Sequence, residues 1–153
     1  MPRRELKDPH QVEAWLAELG GQLTQPGRLV LIGSGALLWH AARRGITEPL
    51  SENSMDVDPV TDSDEVAERC YDAMIGSEFE QRHGWHVNLM PAAVLRELPA
   101  GWEARASVST YAQLTVTVPS PVDLLAPKLR RNEPRDWAHA AWARRVGLLS
   151  SIP

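Results

Sequence analysis

The chain has 153 residues, of which 43% are hydrophobic and 24% are charged, and its formal net charge is −4. This length and composition are typical of one globular domain with a sizeable core. The acidic balance argues against a protein that coats nucleic acid, although it allows a local basic patch.

The cysteine count and the N-terminal residues indicate the cellular compartment. The single cysteine, Cys70, excludes an internal disulfide and fits a reducing environment. The charged N-terminus is not followed by an apolar targeting segment, and no apolar run is long enough to cross a bilayer. We therefore expect a cytoplasmic protein with no membrane partner.

The first predicted elements are a helix and a buried strand. Asp8 and Pro9 are typical of an N-cap and a first helical position, and Gly20-Gly21 predicts the helix end, which gives an N-terminal helix over residues 9–20. Residues 28–32 are mostly apolar and branched, which indicates a buried strand.

A glycine turn follows this strand. Gly33-Ser34-Gly35 leads into a predicted helix that ends at Gly45. The free backbone N–H groups at such a helix start can bind an anion, and the Ser34 hydroxyl can either contact a phosphate or cap the helix. The dinucleotide fingerprint and the Walker lysine are absent, and such a turn can also serve only to pack a helix closely on its strand.

The second predicted strand, Met55 to Val60, carries two carboxylates. Asp56 and Asp58 are two residues apart, so their side chains leave the same face of the strand. Two carboxylates on one face are unfavourable unless a cation lies between them, and magnesium prefers hard oxygen ligands. The pattern predicts a Mg²⁺ or Mn²⁺ site, and the alternative is a pair of solvated acids at a strand end.

A third predicted strand, residues 85–91, follows a helix whose apolar face would carry Val66, Cys70, Ala73 and Met74. Alternation along this strand turns His86 and Asn88 to one face, which can be the face of the two acids. His86 could act as a base or be an edge histidine without a role in catalysis. Asn88 can orient a hydroxyl but cannot accept its proton.

The last predicted elements are a hairpin of strands 105–109 and 114–118 and two helices over residues 121–147. Lys128 can contact a triphosphate as a point charge, and Asp136 can pair with it; the alternative is a solvated helix end. The arginine pairs of these helices fit solvated faces better than nucleic-acid contacts. The predicted apolar faces carry Val122, Leu125 and Leu129 in the first helix, and Trp137, Ala141 and Trp142 in the second.

In this order, the motifs resemble those of the nucleotidyltransferase superfamily that includes DNA polymerase beta and the antibiotic nucleotidyltransferases. Its signature is a strand, then Gly-Gly or Gly-Ser opening a helix, then Asp-x-Asp on the next strand. Ile32-Gly33-Ser34 and Met55-Asp56-Val57-Asp58-Pro59 match this signature. The longer gap between them, and the later motifs, are more similar to AbiEii-type toxins and related small bacterial nucleotidyltransferase-like proteins. The resemblance covers residues 28–147; its later motifs are Val87-Asn88-Leu89, residues 98–105, residues 121–129 and Arg135-Asp136.

The resemblance implies a fold and a site. The fold is a single α+β domain over residues 1–153, with a core at 28–118 and a mixed, mostly antiparallel sheet flanked by helices. The implied phosphate-binding residues are Gly33, Ser34 and Lys128, and the implied metal ligands are Asp56 and Asp58. Asn88 stands where the superfamily has a third catalytic carboxylate, and Asp136 and His86 are accessory residues.

Two functions follow from the resemblance. The first is a Mg²⁺-dependent nucleotidyltransferase that moves a nucleotide from an NTP to a hydroxyl of RNA, protein or a small molecule, including as the toxin of a toxin–antitoxin pair. The alternative is a catalytically degenerate member that binds nucleotides or other proteins, because Asn88 replaces an acid. The expected partners are an NTP, an RNA or protein acceptor and a cognate antitoxin, and a homo-oligomer is left open.

Overall fold

The computed structural model describes residues 8–50 and 56–149, and the structural statements that follow concern these two ranges. Five strands form one sheet: β1 (Gly27–Ile32), β2 (Asp56–Val60), β3 (His86–Val87), β4 (Ser107–Tyr111) and β5 (Leu114–Val118). The longer helices are α1 (Pro9–Gln22), α2 (Gly33–Arg43), α3 (Asp64–Tyr71), α6 (Pro121–Arg131) and α7 (Pro134–Arg145). The shorter ones are α4 (Glu78–His83), α5 (Trp102–Arg105) and a 3₁₀ helix, Ala92–Glu97.

The sheet is mixed and has the order β3-β2-β1-β5-β4. Strand β1 pairs antiparallel with β2 and parallel with β5, while β2–β3 is parallel and β4–β5 antiparallel. The predicted fold class, a single α+β domain with a mixed sheet flanked by helices, is confirmed. The start of the predicted second strand, at Met55, lies outside the described residues.

The core lies between one face of the sheet and the helices. Alternate residues of the two central strands are buried because successive side chains of a strand point to opposite faces. On the helical side the core is completed by α1, α2, α6 and α7. Its members include Leu29, Leu31, Leu114, Val116, Leu16, Leu37, Leu125 and Trp142. Cys70 is also buried there, as predicted.

The N-terminal helix continues past its predicted end. Residues Gly20 and Gly21 are both helical, and α1 ends only at Gln22. Gly20 is buried against strand β4, where a Cβ would overlap the carbonyl oxygen of Tyr111, whereas Gly21 faces open space. The first glycine therefore permits close helix–sheet packing rather than ending the helix.

This difference predicts opposite effects of two neighbouring substitutions. Gly20→Ala must push α1 away from β4, so we expect the free energy of unfolding to fall by about 1–3 kcal/mol. Gly21→Ala only improves helix propensity, so we expect a gain of about 0.5–1 kcal/mol. Urea unfolding of the two variants measures the contrast, and equal effects would contradict the packing role of Gly20.

Two other predicted strands differ from those observed. Strand β3 contains only His86–Val87, although the chain continues beside β2 through hydrogen bonds from the Asn88 and Met90 N–H groups to Val57 and Pro59. Strand β4 begins at Ser107 instead of residue 105, because Arg105 ends helix α5. The carboxylate of Asp123 accepts two hydrogen bonds from Arg105, at 2.9 Å each.

Helical periodicity located the five longer helices, but not α4, α5 or the 3₁₀ helix, and it assigned some helix faces wrongly. Met74 lies beyond the end of α3 and is 44% exposed, and Val122 of α6 is 43% exposed. In α7 the predicted apolar residues Trp137 and Ala141 are exposed. The buried face of α7 carries Trp142, as predicted, together with Asp136, His139 and Ala143. The two polar side chains of this face, Asp136 and His139, contact the buried Lys128 of α6.

None of the helices in the described ranges has both the length and the apolar character that crossing a bilayer requires.

Candidate active site

A pocket of about 160 Å³ lies where β1, β2, the 3₁₀ helix and the α6–α7 pair meet. It contains the glycine turn, both aspartates and the lysine that the sequence predicted. The residues that line it are Ile32, Gly33, Ser34, Asp56, Asp58, Met90, Val94, Glu97, Leu98, Leu124, Pro127, Lys128, Arg131, Arg135 and His139.

The glycine turn brings the start of α2 against strand β2. Gly33 has φ +76°, a conformation that glycine adopts readily, and a Cβ at this position would overlap Oδ2 of Asp58. At Gly35 a Cβ would lie 3.3 Å from Cγ2 of Val57, so α2 also packs closely on β2. The turn therefore serves both packing and the placement of its backbone beside a carboxylate.

Ser34 is buried and lines the pocket. The N-cap of α2 is Ile32, and no described side chain makes a capping hydrogen bond there. Of the two roles considered for Ser34, capping the helix is therefore not seen, and its place in the pocket is compatible with a phosphate contact.

The two aspartates are half-buried and face the same pocket from β2. Burial and the neighbouring Asp56 raise the pKa of Asp58 to about 7. The amide of Asn88 donates to Oδ1 of Asp58 at 3.2 Å. Asn88 thus contacts a predicted metal ligand and is not itself among the residues that line the pocket.

Lys128 enters the pocket from helix α6. Its side chain is 9% exposed, and its Nζ lies 3.5 Å from Oδ1 of Asp136 and 3.3 Å from Nδ1 of His139. Burial lowers the pKa of Lys128. Burial also opposes the ionisation of Asp136, but the hydrogen bond from Arg131 and the charge of Lys128 hold the pKa of Asp136 below its usual range. The alternative of a solvated helix end is wrong for these residues.

His86 lies apart from this group. It is in β3, beside Asp56 of β2 in the sheet, and its Nδ1 is 2.8 Å from Oε2 of Glu80. It is not among the pocket-lining residues. The structure thus brings five predicted residues to the pocket, places Asn88 and Asp136 behind them, and leaves His86 on the neighbouring strand.

Sequence reasoning missed three cationic or titratable residues of the pocket. Arg131, Arg135 and His139 line it, although Arg131 belongs to an arginine pair that was expected on a solvated helix face and no role was predicted for the other two. A signal was present, because Lys128 and Arg131 are three residues apart in α6, and Arg135 and His139 are four apart in α7. Such spacings place side chains on one helix face.

The two carboxylates in the pocket fit a divalent cation that is bound together with the phosphates of a substrate. In the described ranges no three or more His, Cys, Asp and Glu side chains form a group that could hold a metal. Asp56 and Asp58 nevertheless supply two carboxylates whose mutual repulsion a cation would relieve. Mg²⁺ is commonly bound by one or two carboxylates together with water and substrate phosphates, so the two aspartates fit this ion.

Comparison with protein families agrees with this geometry. The sequence model of a family described as "Nucleotidyltransferase of unknown function (DUF6036)" matches residues 10–149, which include every residue that lines the pocket. Comparisons with curated proteins and with solved structures found no match. Because the match covers most of the chain, this protein belongs to the family of nucleotidyltransferases of unknown function described as DUF6036.

Proposed function

We propose that this chain is a Mg²⁺-dependent nucleotidyltransferase that moves a nucleotide from an NTP to a hydroxyl acceptor on RNA, protein or a small molecule. The observation that carries the proposal is the meeting of the Gly33-Ser34 turn, Asp56, Asp58 and Lys128 in one pocket. A helix start with free N–H groups, a lysine and a carboxylate pair are the parts that polyphosphate binding with a metal requires.

The first role in the proposal is binding of the triphosphate. Backbone N–H groups at the start of α2 and the hydroxyl of Ser34 would donate hydrogen bonds to phosphate oxygens. The ammonium of Lys128 would contribute a positive charge from the other side of the pocket. Magnesium held by Asp56 and Asp58 would supply charge neutralisation and alignment of the phosphates.

The residues behind the pocket keep these groups in place. Asp136 lies 3.5 Å from the Lys128 ammonium and accepts a hydrogen bond from Arg131, so it can position both cations. The amide of Asn88 donates a hydrogen bond to Oδ1 of Asp58. A Cβ at Gly33 would overlap Oδ2 of the same carboxylate. Asp58 is therefore held between an amide donor and the glycine turn. Such supporting contacts fix the geometry of a metal ligand.

The second candidate is a catalytically degenerate member of the family that binds nucleotides or other proteins. The observation in its favour is Asn88, because an amide cannot accept the proton of an attacking hydroxyl. Incubation with α-³²P-labelled NTPs, Mg²⁺, total RNA and cell lysate separates the two candidates. We expect label to transfer to an acceptor with the wild type but not with Asp56→Asn. Nucleotide binding without any transfer would favour the second candidate.

The toxin role is the most specific part of the proposal, and it rests on the resemblance to AbiEii-type proteins. A toxin of this class would arrest growth by modifying an RNA or protein acceptor, and a cognate antitoxin would relieve the arrest. Induced expression of the wild type should slow growth, and Asp56→Asn should not. Equal growth of the two strains at equal protein levels would argue against a toxin.

The raised pKa of Asp58 predicts a pH-dependent magnesium affinity. With its pKa about 7, this carboxyl is largely protonated below that pH, and a metal must displace the proton. We expect the apparent affinity for Mg²⁺ to fall about tenfold per pH unit below 7 and to be level above it. Mn²⁺ binding followed by electron paramagnetic resonance between pH 5.5 and 8.5 measures this dependence. An affinity that is constant over the range would remove Asp58 from the ligand set.

A further inference from the structure

Strand β4 forms one outer edge of the sheet, because in the described ranges it pairs with β5 alone. The two-residue turn after β4 makes Tyr111 and Leu114 a hydrogen-bonded pair, and such pairs alternate along an antiparallel ladder. The backbone N–H and C=O groups of Val108 and Thr110 therefore point away from β5. Nothing else in the described ranges hydrogen-bonds to them. This edge can accept a further strand.

The opposite edge of the sheet is protected, whereas the edge at β4 is not. Strand β3 has only two residues, and the N–H of Val87 donates to the carbonyl of Ala73 at 2.8 Å. Short strands, charged side chains and prolines are the usual protection of an edge against pairing. Strand β4 has five residues and contains neither a charged residue nor a proline, and its Val108 is 63% exposed. The β4 edge is therefore suited to strand addition.

A groove of about 540 Å³ lies beside the first half of β4. Strand β4 contributes Ser107 and Val108 to this groove, and helix α2 contributes Trp39 and Arg43 from its second half. The Gly33 turn is at the other end of α2, so the groove is separate from the nucleotide pocket. A ligand in this groove can reach the backbone edge of β4 and the end of α2 together.

The groove is basic. Its arginines are Arg43, Arg44 and Arg105, and no described Asp or Glu lines it. Arg43 lies 3.5 Å from Glu13 and Arg105 lies 2.9 Å from Asp123, but both arginine side chains are about half exposed. The guanidinium of Arg44 donates to two backbone carbonyls that follow α7, and its charge has no carboxylate partner in the described ranges. Such a surface favours an acidic ligand.

We propose that the free edge of β4 and the groove beside it bind an acidic polypeptide segment in extended conformation, which adds a sixth strand to the sheet. The backbone of the segment would pair with the outward groups of Val108 and Thr110. Its carboxylates would lie near the arginines of the groove. Apolar side chains at alternate positions would pack on Val108 and on Val122, which also lines the groove and is 43% exposed.

A polypeptide fits this surface better than a nucleic acid does. A phosphate backbone could contact the arginines, but it cannot pair with the alternating N–H and C=O groups of a strand edge. The inference goes beyond the proposed function and does not depend on it, because no residue of the nucleotide pocket takes part. Failure of one therefore leaves the other intact.

Fluorescence anisotropy with a fluorescein-labelled short peptide of alternating Glu and Val residues tests the proposal on the full chain. We expect this peptide to bind about tenfold or more tightly than the same peptide with Lys in place of Glu. Full N-methylation of the peptide backbone removes its N–H donors, so the N-methylated peptide should also bind about tenfold or more weakly.

Two variants of the protein locate the binding surface. Val108→Glu places a carboxylate at the β4 edge, so we expect the affinity for the Glu-Val peptide to fall by about tenfold or more. The matched control is Ile75→Glu, because Ile75 is 65% exposed and does not line the groove. Ile75→Glu should bind the peptide like the wild type.

Amide hydrogen exchange followed by nuclear magnetic resonance tests strand addition itself. The N–H groups of Val108 and Thr110 should exchange rapidly in the free protein and slowly with the peptide bound. The N–H of Ser109 points toward β5 and should exchange slowly in both states. Unchanged exchange at Val108 and Thr110 would overturn the proposal.

Other outcomes also contradict the proposal. Absence of peptide binding, or equal binding of the Glu and Lys peptides, would exclude an acidic segment as the ligand. Equal affinities of Val108→Glu and Ile75→Glu would place binding elsewhere on the protein. Dimerisation of the wild type in analytical ultracentrifugation that Val108→Glu abolishes would identify the edge as an interface between two copies of this chain.

Discussion

Replacing Gly33 with alanine is expected to weaken metal-dependent nucleotide binding strongly while leaving most of the fold intact. At φ +76° an alanine costs about 1–2 kcal/mol of backbone strain. Its Cβ would also overlap Oδ2 of Asp58, so the carboxylate must leave its position beside the turn. Because displaced metal ligands lose affinity, we expect Mg²⁺-dependent NTP binding to weaken by about 10- to 100-fold or more.

Gly45→Ala is the matched control for this substitution. Gly45 has φ +73°, and no described atom lies within 4 Å of the position that a Cβ would take. Gly45→Ala should therefore lose a similar amount of stability in urea unfolding and bind nucleotide like the wild type. Equal nucleotide affinities for Gly33→Ala and Gly45→Ala would show that the turn does not position Asp58 for binding.

Replacing Asp58 with asparagine is expected to change binding and stability in opposite directions. The variant loses a metal ligand, so Mg²⁺-dependent NTP binding should fall by about 100-fold or more. It also removes a buried charge, because burial and Asp56 raise the pKa of Asp58 to about 7. At pH 8 we expect Asp58→Asn to unfold with a free energy roughly 1–4 kcal/mol higher than the wild type in the absence of metal.

The sign of this effect follows from proton linkage. Between about pH 4 and pH 7 the folded chain keeps the Asp58 proton and the unfolded chain has released it. Wild-type stability therefore falls as the pH rises through this window and is level above it. The stability advantage of Asp58→Asn should shrink as the pH decreases from 7 and should vanish below about 4.

Asp62→Asn serves as the control for Asp58→Asn. Asp62 is exposed, and its hydrogen bonds with Arg28 hold the pKa of Asp62 below its usual range. Asp62→Asn should not raise the free energy of unfolding at pH 8, and it should not weaken nucleotide binding. If the free energy of unfolding of Asp58→Asn at pH 8 is no higher than that of the wild type, the buried charge of Asp58 does not destabilise the folded protein.

Local patterns in the sequence were sufficient for the fold class and much of the pocket. Apolar runs bounded by glycines located β1 and α2, and the two-residue spacing placed Asp56 and Asp58 on one face. These features depend on neighbours in sequence, which a periodic pattern records directly. The prediction that the two acids meet the Gly33-Ser34 turn needed the strand order, which the resemblance supplied.

Features that depend on distant parts of the chain were not predictable in this way. The polar residues on the inner face of α7, such as Asp136 and His139, make its apolar stripe misleading. Their burial is compensated by Lys128, which comes from another helix. Gly20 likewise resembles a helix end in sequence, and only its packing against Tyr111 shows its role.

The part of the pocket that the 3₁₀ helix lines shows the same limit. Met90, Val94 and Glu97 come from a segment whose pattern indicated only a strand end. Their contribution depends on the position of the 3₁₀ helix beside α6, which Arg130 helps to fix. The position of a residue such as Glu97 at the pocket therefore has no signal in the sequence before the fold is known.

A crystal structure of the wild type with Mn²⁺ and an α,β-imido NTP is the most direct test of the account. We expect anomalous density for manganese between the carboxylates of Asp56 and Asp58, with phosphate oxygens at the Gly33-Ser34 backbone and near the Lys128 ammonium. Manganese bound elsewhere, or a triphosphate that contacts neither the turn nor the two aspartates, would contradict the account.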